Sequence, residues 1–172
     1  MMRRALCLAV VCILALVVVS VSNVSAVGLN KIQYTEWLVS TTWTWYTPEG
    51  YYDGAAAGGD AIMYFLTPEE GAGMAWESLV NSMTGWGAGL QGAMGLDGYT
   101  YNPTTNLLKS TYGYVEWPLG DGYSYEGELI GKITFSSAKA FTGKITIVEP
   151  DGYKWEISLK GKKLGQYTGP PL

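Results

Sequence analysis

The stretch FTGKITIVEPDGYKWEISLK, residues 141–160, decides the fold class. Its odd positions before the turn are Phe141, Gly143, Ile145 and Ile147, and after it Tyr153, Trp155, Ile157 and Leu159. The even positions after it are Lys154, Glu156, Ser158 and Lys160. Apolar–polar alternation with a period of two is the mark of a strand with one buried face. Between the runs, Pro150, Asp151 and Gly152 suit a three-residue type I turn followed by a left-handed glycine bulge. That turn sets Glu149 opposite Tyr153, which puts Ile147 against Trp155 and Ile145 against Ile157. Turn chemistry and side-chain pattern are independent signals, and here they agree on one register.

Working outward, Tyr123–Phe135 repeats the pattern, with Tyr, Tyr, Gly, Leu, Gly, Ile and Phe on its odd face. Gly-Lys-Ile-Thr occurs at 131–134 and again at 143–146, as expected for similar strands of a meander. Upstream, Trp37, Val39, Thr41, Trp43 and Trp45 share one face, while Leu38, Ser40, Thr42 and Thr44 share the other. Ala61–Leu66 reads as a short strand buried on both faces. Thr67-Pro68-Glu69-Glu70 carries an N-cap, a proline at the first helical position and acids in the first turn. Trp76, Leu79, Val80 and Met83 follow at helical spacing, so one amphipathic helix is expected over 68–83, weakened by Gly71 and Gly73. Residues 85–98 are rich in glycine, and a long loop there is a candidate binding lid. The fold expected is mainly β, an antiparallel β-barrel or sandwich with a small calycin-like barrel favoured, plus that one short helix. Trp37–Gly50 followed by hairpins resembles the opening strand of lipocalin-like barrels, which begins with Gly-x-Trp. Here Thr41-Thr42-Trp43 stands in its place without the glycine. The resemblance implies a barrel and carries over no site residue.

Residues 1–26 read as a cleaved signal peptide. Arg3 and Arg4 precede an apolar run from Ala5 to Val21, and small residues lead to a cut between Ala26 and Val27. The mature chain, 27–172, is then a single β-rich domain, secreted to the periplasm or the exterior, with no stable membrane span. Both cysteines and both arginines leave with the leader, so the domain is free of disulfides. Nine lysines then face fifteen acids, a net charge of −6. Residues 27–128 hold twelve acids and two lysines, whereas 129–172 hold three acids and seven lysines. A negative chain lacking arginine is a poor match for nucleic acid, where phosphate contacts drive affinity. An outer-membrane barrel also suits alternating aromatic strands, but the charged face at Lys154, Glu156 and Lys160 argues against it.

With no histidine and no mature cysteine, histidine-assisted nucleophiles, thiolate chemistry and ordinary zinc sites are excluded. No cofactor is expected. Gly87, Gly89 and Gly92 match the dinucleotide fingerprint in letters alone, outside any strand-to-helix context. Ser136 and Lys139 match Ser-x-x-Lys but fall where two strands join. Glu126 and Glu128 share a strand face near Glu116, a possible carboxylate pair for glycoside hydrolysis. Asp121 and Asp151 precede glycines, as turns require, and no calcium-loop spacing surrounds them.

The positive signal is aromatic. All seven tryptophans and thirteen tyrosines lie beyond the leader. Trp43, Trp45 and Trp155 are expected to fill the core or line a cavity. Tyr112 with Tyr114, and Tyr123 with Tyr125, each occupy one strand face, and their amphipathic rings suit sugars or an amphipathic pocket. The leading expectation is an exported noncatalytic β-domain that binds a small apolar or amphipathic molecule, a glycan or a protein partner through these residues. The alternatives are a surface-associated assembly protein and a glycoside-active enzyme.

Overall fold

The computed structural model describes residues 26–77, 90–117 and 123–167. The expected leader through residue 25 lies outside them. The described residues form eleven strands and a single 3-10 turn of helix at Leu29–Lys31. The strands are β1 (Thr35–Tyr46), β2 (Tyr52–Phe65), β3 (Ala72–Glu77), β4 (Leu90–Leu96), β5 (Thr100–Asn102), β6 (Leu107–Ser110), β7 (Gly113–Trp117), β8 (Tyr123–Gly127), β9 (Leu129–Ser137), β10 (Ala140–Val148) and β11 (Lys154–Gln166). All pair antiparallel in one sheet ordered β5-β6-β9-β10-β11-β1-β2-β3-β4-β7-β8, which curls into a half-barrel.

Three very short connections force that curl. β4 continues to β5 through residues 97–99, β6 to β7 through 111–112, and β8 to β9 through Glu128 alone. Each joins strands from opposite halves of the sheet order. One intervening residue spans at most about 7 Å between flanking Cα atoms, so the two ends of the sheet must approach each other.

The β10–β11 hairpin has the register its sequence requires, with Ile145 against Ile157 and Ile147 against Trp155. Gly152 is left-handed (φ 93°), and its N–H donates to the Glu149 carbonyl at 2.9 Å. The two Gly-Lys-Ile-Thr segments lie side by side, Gly131 opposite Ile145 and Ile133 opposite Gly143. Gly143 leaves room for Ile133 of the other copy, and Gly131 leaves room for Leu96 from across the half-barrel.

The inner face is apolar from strand to strand. Trp37, Phe65, Phe135 and Phe141 are at most 2% exposed, and their rings meet at 5.1–6.1 Å between centroids. They fill the end of the half-barrel near the start of β1. The 3-10 turn, Val27 and the buried Ile32 lie at that end as well.

Two expectations are corrected. Residues 72–77 form β3, and the expected helix over 68–83 is absent from its described part; 78–83 lie outside the described residues. The helix-start signal is real but stops after four residues. Thr67 Oγ1 accepts from the Glu70 N–H, and Glu70 Oε2 accepts from the Thr67 N–H, each at 3.2 Å. That reciprocal cap closes a turn. Gly71 then takes φ 86° and the chain turns into β3, where Ala72, Met74 and Trp76 are buried. The other correction concerns Ala61–Leu66. Its first five residues belong to a strand that extends back to Tyr52 and ends at Phe65, and within it Ile62 and Tyr64 stay partly exposed. Of the glycine-rich stretch 85–98, Leu90–Leu96 is strand β4 and 85–89 lie outside the described residues.

Candidate functional site

Alternation along β1 sends Trp43 and Trp45 inward, past the packed phenylalanines, toward the end where β1 and β11 meet their hairpin turns. Trp45 pairs directly with Trp155 of β11. The Trp45 and Trp155 rings lie 5.7 Å apart at 42°, and Trp43 meets Trp155 edge-on at 6.1 Å and 88°. Trp76 of β3 joins from the other side, 5.5 Å from Trp43. These separations lie in the favourable range for aromatic pairs. Burial falls along the row: Trp76 is 1% exposed and Trp43 8%, while Trp45 and Trp155 are only partly buried.

Polar atoms fix the ring orientations. Trp76 Nε1 donates to Thr41 Oγ1 at 3.1 Å, and that hydroxyl donates to the Gly59 carbonyl at 3.1 Å. Trp155 Nε1 donates to Glu149 Oε1 at 2.6 Å, a charge-assisted bond across the β10–β11 turn. The facing segment of β2, Gly54–Gly59, carries only alanine and glycine. A Cβ on Gly54 would come 2.8 Å from the Trp45 ring, and one on Gly58 would enter the edge of Trp43. The small side chains of β2 are therefore what admits the indoles. The tryptophan row offers flat apolar area at the opening of the half-barrel, with a carboxylate at its rim.

Tyr112 and Tyr114 point outward and are 45% and 41% exposed. Tyr112 donates to Glu126 at 3.4 Å, and Tyr114 lies over Gly95 on the outer face. Tyr125 is partly buried against the core and donates to the Val148 carbonyl at 3.3 Å. Tyr123 opens β8, but its side chain lies outside what the structure describes. Ala26 is exposed and Val27 is buried.

Among the other candidates, Glu126 and Glu128 are exposed and Glu116 is partly exposed. Ser136 and Lys139 sit at the β9–β10 turn, where the serine hydroxyl donates to the Ala140 carbonyl. Gly92 is a buried position of β4, and the remainder of its motif before Leu90 lies outside the described residues, as does Asp121. Among the described residues no helix is long and apolar enough to cross a membrane. Sequence reasoning missed Trp76 and Glu149 as neighbours of the site. Trp76 was assigned to a helix, although period-two spacing of Ala72, Met74 and Trp76 carried the right signal. Glu149 entered only as a turn neighbour.

No protein-family model and no curated protein matches this sequence.

Proposed function

We propose that this chain is an exported, noncatalytic β-domain that binds a small apolar or amphipathic ligand, or an aromatic-seeking partner, at its tryptophan-lined end. The observation that carries the reading is the burial gradient from Trp76 to Trp45. A hydrophobic core needs its tryptophans covered, yet Trp45 and Trp155 keep part of their faces open next to covered neighbours. Binding pockets combine such apolar walls with a few placed polar groups, and Glu149 is one. In this reading each short-linked pair, β4 with β5, β6 with β7 and β8 with β9, is one bent stave. The sheet then closes as an eight-stave up-and-down barrel with a packed floor and an aromatic mouth. Eight staves leave room for side chains or one small ligand. Export rests on the leader pattern at residues 1–26. Native mass spectrometry of the purified chain against a panel of lipids and oligosaccharides tests binding. A retained or titrated ligand supports it, and no adduct anywhere in the panel counts against it.

A further inference from the structure

The main chain at Val27 is held in an unusual way. Its N–H donates to Asn106 Oδ1 at 2.8 Å, and its carbonyl accepts from the Tyr101 hydroxyl at 2.6 Å. The same hydroxyl lies 3.3 Å from Asn106 Oδ1, so the three groups form one small network. Both polar groups of one residue are thus satisfied by side chains rather than by a strand partner. Val27 is 5% exposed and Asn106 1%, whereas Ala26 faces solvent. Asn106 is itself fixed: its backbone is left-handed (φ 53°) in the β5–β6 turn, and its carbonyl accepts from the Phe135 N–H at 3.0 Å. Immediately after Val27 come the 3-10 turn and Ile32, which is fully buried. Lys163 Nζ reaches across from β11 to the Lys31 carbonyl at 2.8 Å, which ties this segment down again.

We propose that the Ala26–Val27 bond is the substrate of a leader peptidase, and that the Asn106–Tyr101 network is the seat for the α-amino group this cut creates. The proposal rests on the export reading. In the hydrolysis, water adds its oxygen to the Ala26 carbonyl carbon and the C–N bond breaks. Ala26 leaves as a carboxylate, and Val27 nitrogen ends as an ammonium. One ammonium proton keeps the bond to Asn106 Oδ1, now charge-assisted. The others face the solvent-exposed position that Ala26 vacates. The seat also fixes the order of events. The nitrogen of the scissile bond is the atom held by Asn106, and a peptidase needs an extended, accessible chain on both sides of the cut. Once the domain has folded, cleavage requires withdrawing Val27 and the residues after it, a local unfolding step. Cleavage therefore precedes folding.

The test is cell-free synthesis of the full 172-residue chain, with peptidase-bearing vesicles present throughout or added after folding. Products are read by intact mass. A product beginning at Val27 is expected, formed at least about tenfold more slowly when the enzyme meets the folded chain. The variant Tyr101→Phe with Asn106→Gly, whose glycine keeps the left-handed turn, should recover most of that loss. Should it not fold, Tyr101→Phe alone removes the 2.6 Å bond and should recover part. Equal rates for folded and nascent wild-type chain overturn the proposed order. No product at Val27 in either arm removes the export reading and the peptidase site with it. The seat itself is tested separately by comparing chains that start at Val27 and at Leu29: a clearly lower Tm for the shorter chain supports it, and equal Tm values overturn it.

Discussion

Two glycines of β11, four residues apart, should respond oppositely to the same substitution. A Cβ on Gly161 points into the Phe141 ring, deep inside the ~3.5–4.0 Å optimum for carbon pairs. Phe141 cannot swing away, because Trp37, Phe135 and Phe65 surround it at 5.1, 5.5 and 5.7 Å. Overpacking of this kind costs about 1–3 kcal/mol. A Cβ on Gly165 meets nothing within 4 Å. Gly→Ala at a site free of strain stabilises by about 0.4–1 kcal/mol, chiefly by narrowing the unfolded ensemble. With that common gain in both variants, Gly161→Ala should be less stable than Gly165→Ala by about 1–3 kcal/mol, or roughly 2–12 °C in Tm for a domain of this size. Gly165→Ala should match or exceed wild type. Urea denaturation and thermal melts of the three proteins decide it. Equal stability of the two variants would refute the packed end of the half-barrel, since it would mean that Phe141 does not rest on Gly161.

Other consequences follow from single contacts. Gly71→Ala should cost about 3 kcal/mol or more, because φ 86° is strained for alanine and its Cβ would enter the Leu96 carbonyl; an unchanged denaturation midpoint contradicts it. Trp155→Phe deletes the donor to Glu149 and should lower stability by about 1–2 kcal/mol. The hydrogen-bond part of that loss should vanish when the same change is made in a Glu149→Leu background, which has no acceptor for the indole N–H, and an undiminished loss would show that the bond contributes nothing. Burial first, and neighbouring Tyr114 and Tyr167 second, push the Tyr64 phenol up to about 12. Because the folded value is the higher one, its stabilisation is whole below pH 10 and is lost as pH rises toward 12. Burial raises Tyr99 as well. Ultraviolet phenolate titration should show tyrosines ionising late, together with alkaline unfolding that Tyr64→Phe reduces; ordinary titration of every tyrosine sinks this.

How far the sequence could be read depended on whether two independent signals met. At 141–160 the alternation and the Pro-Asp-Gly turn both specify one register, and the strands pair in that register. Trp37–Trp45 was equally plain, because large indoles alternate with hydroxyls. Tyr52–Asp60 was invisible for the opposite reason. Glycine and alanine carry no alternation, and this segment is a strand because its small residues accommodate the Trp43 and Trp45 rings, a relation between distant residues. At 67–83 a genuine local cap was extended into a helix that the glycines and the core reject. That same error hid Trp76 from the site. Tyr112 and Tyr114 share the outward side, as spacing two residues apart predicts, and that side is not the one that carries the tryptophan row.

A binding surface at the tryptophan end and a loosely covered core there respond differently to ligand. Intrinsic tryptophan emission, titrated with the lipid and oligosaccharide panel, separates the two on wild type and on Trp45→Ala and Trp155→Ala. A saturable shift with at least one ligand class is expected, weakened roughly tenfold or more by either substitution, as when a stacking residue worth more than about 1.4 kcal/mol is lost. A saturable shift unaffected by both substitutions, or no shift with any ligand, would contradict binding at this end.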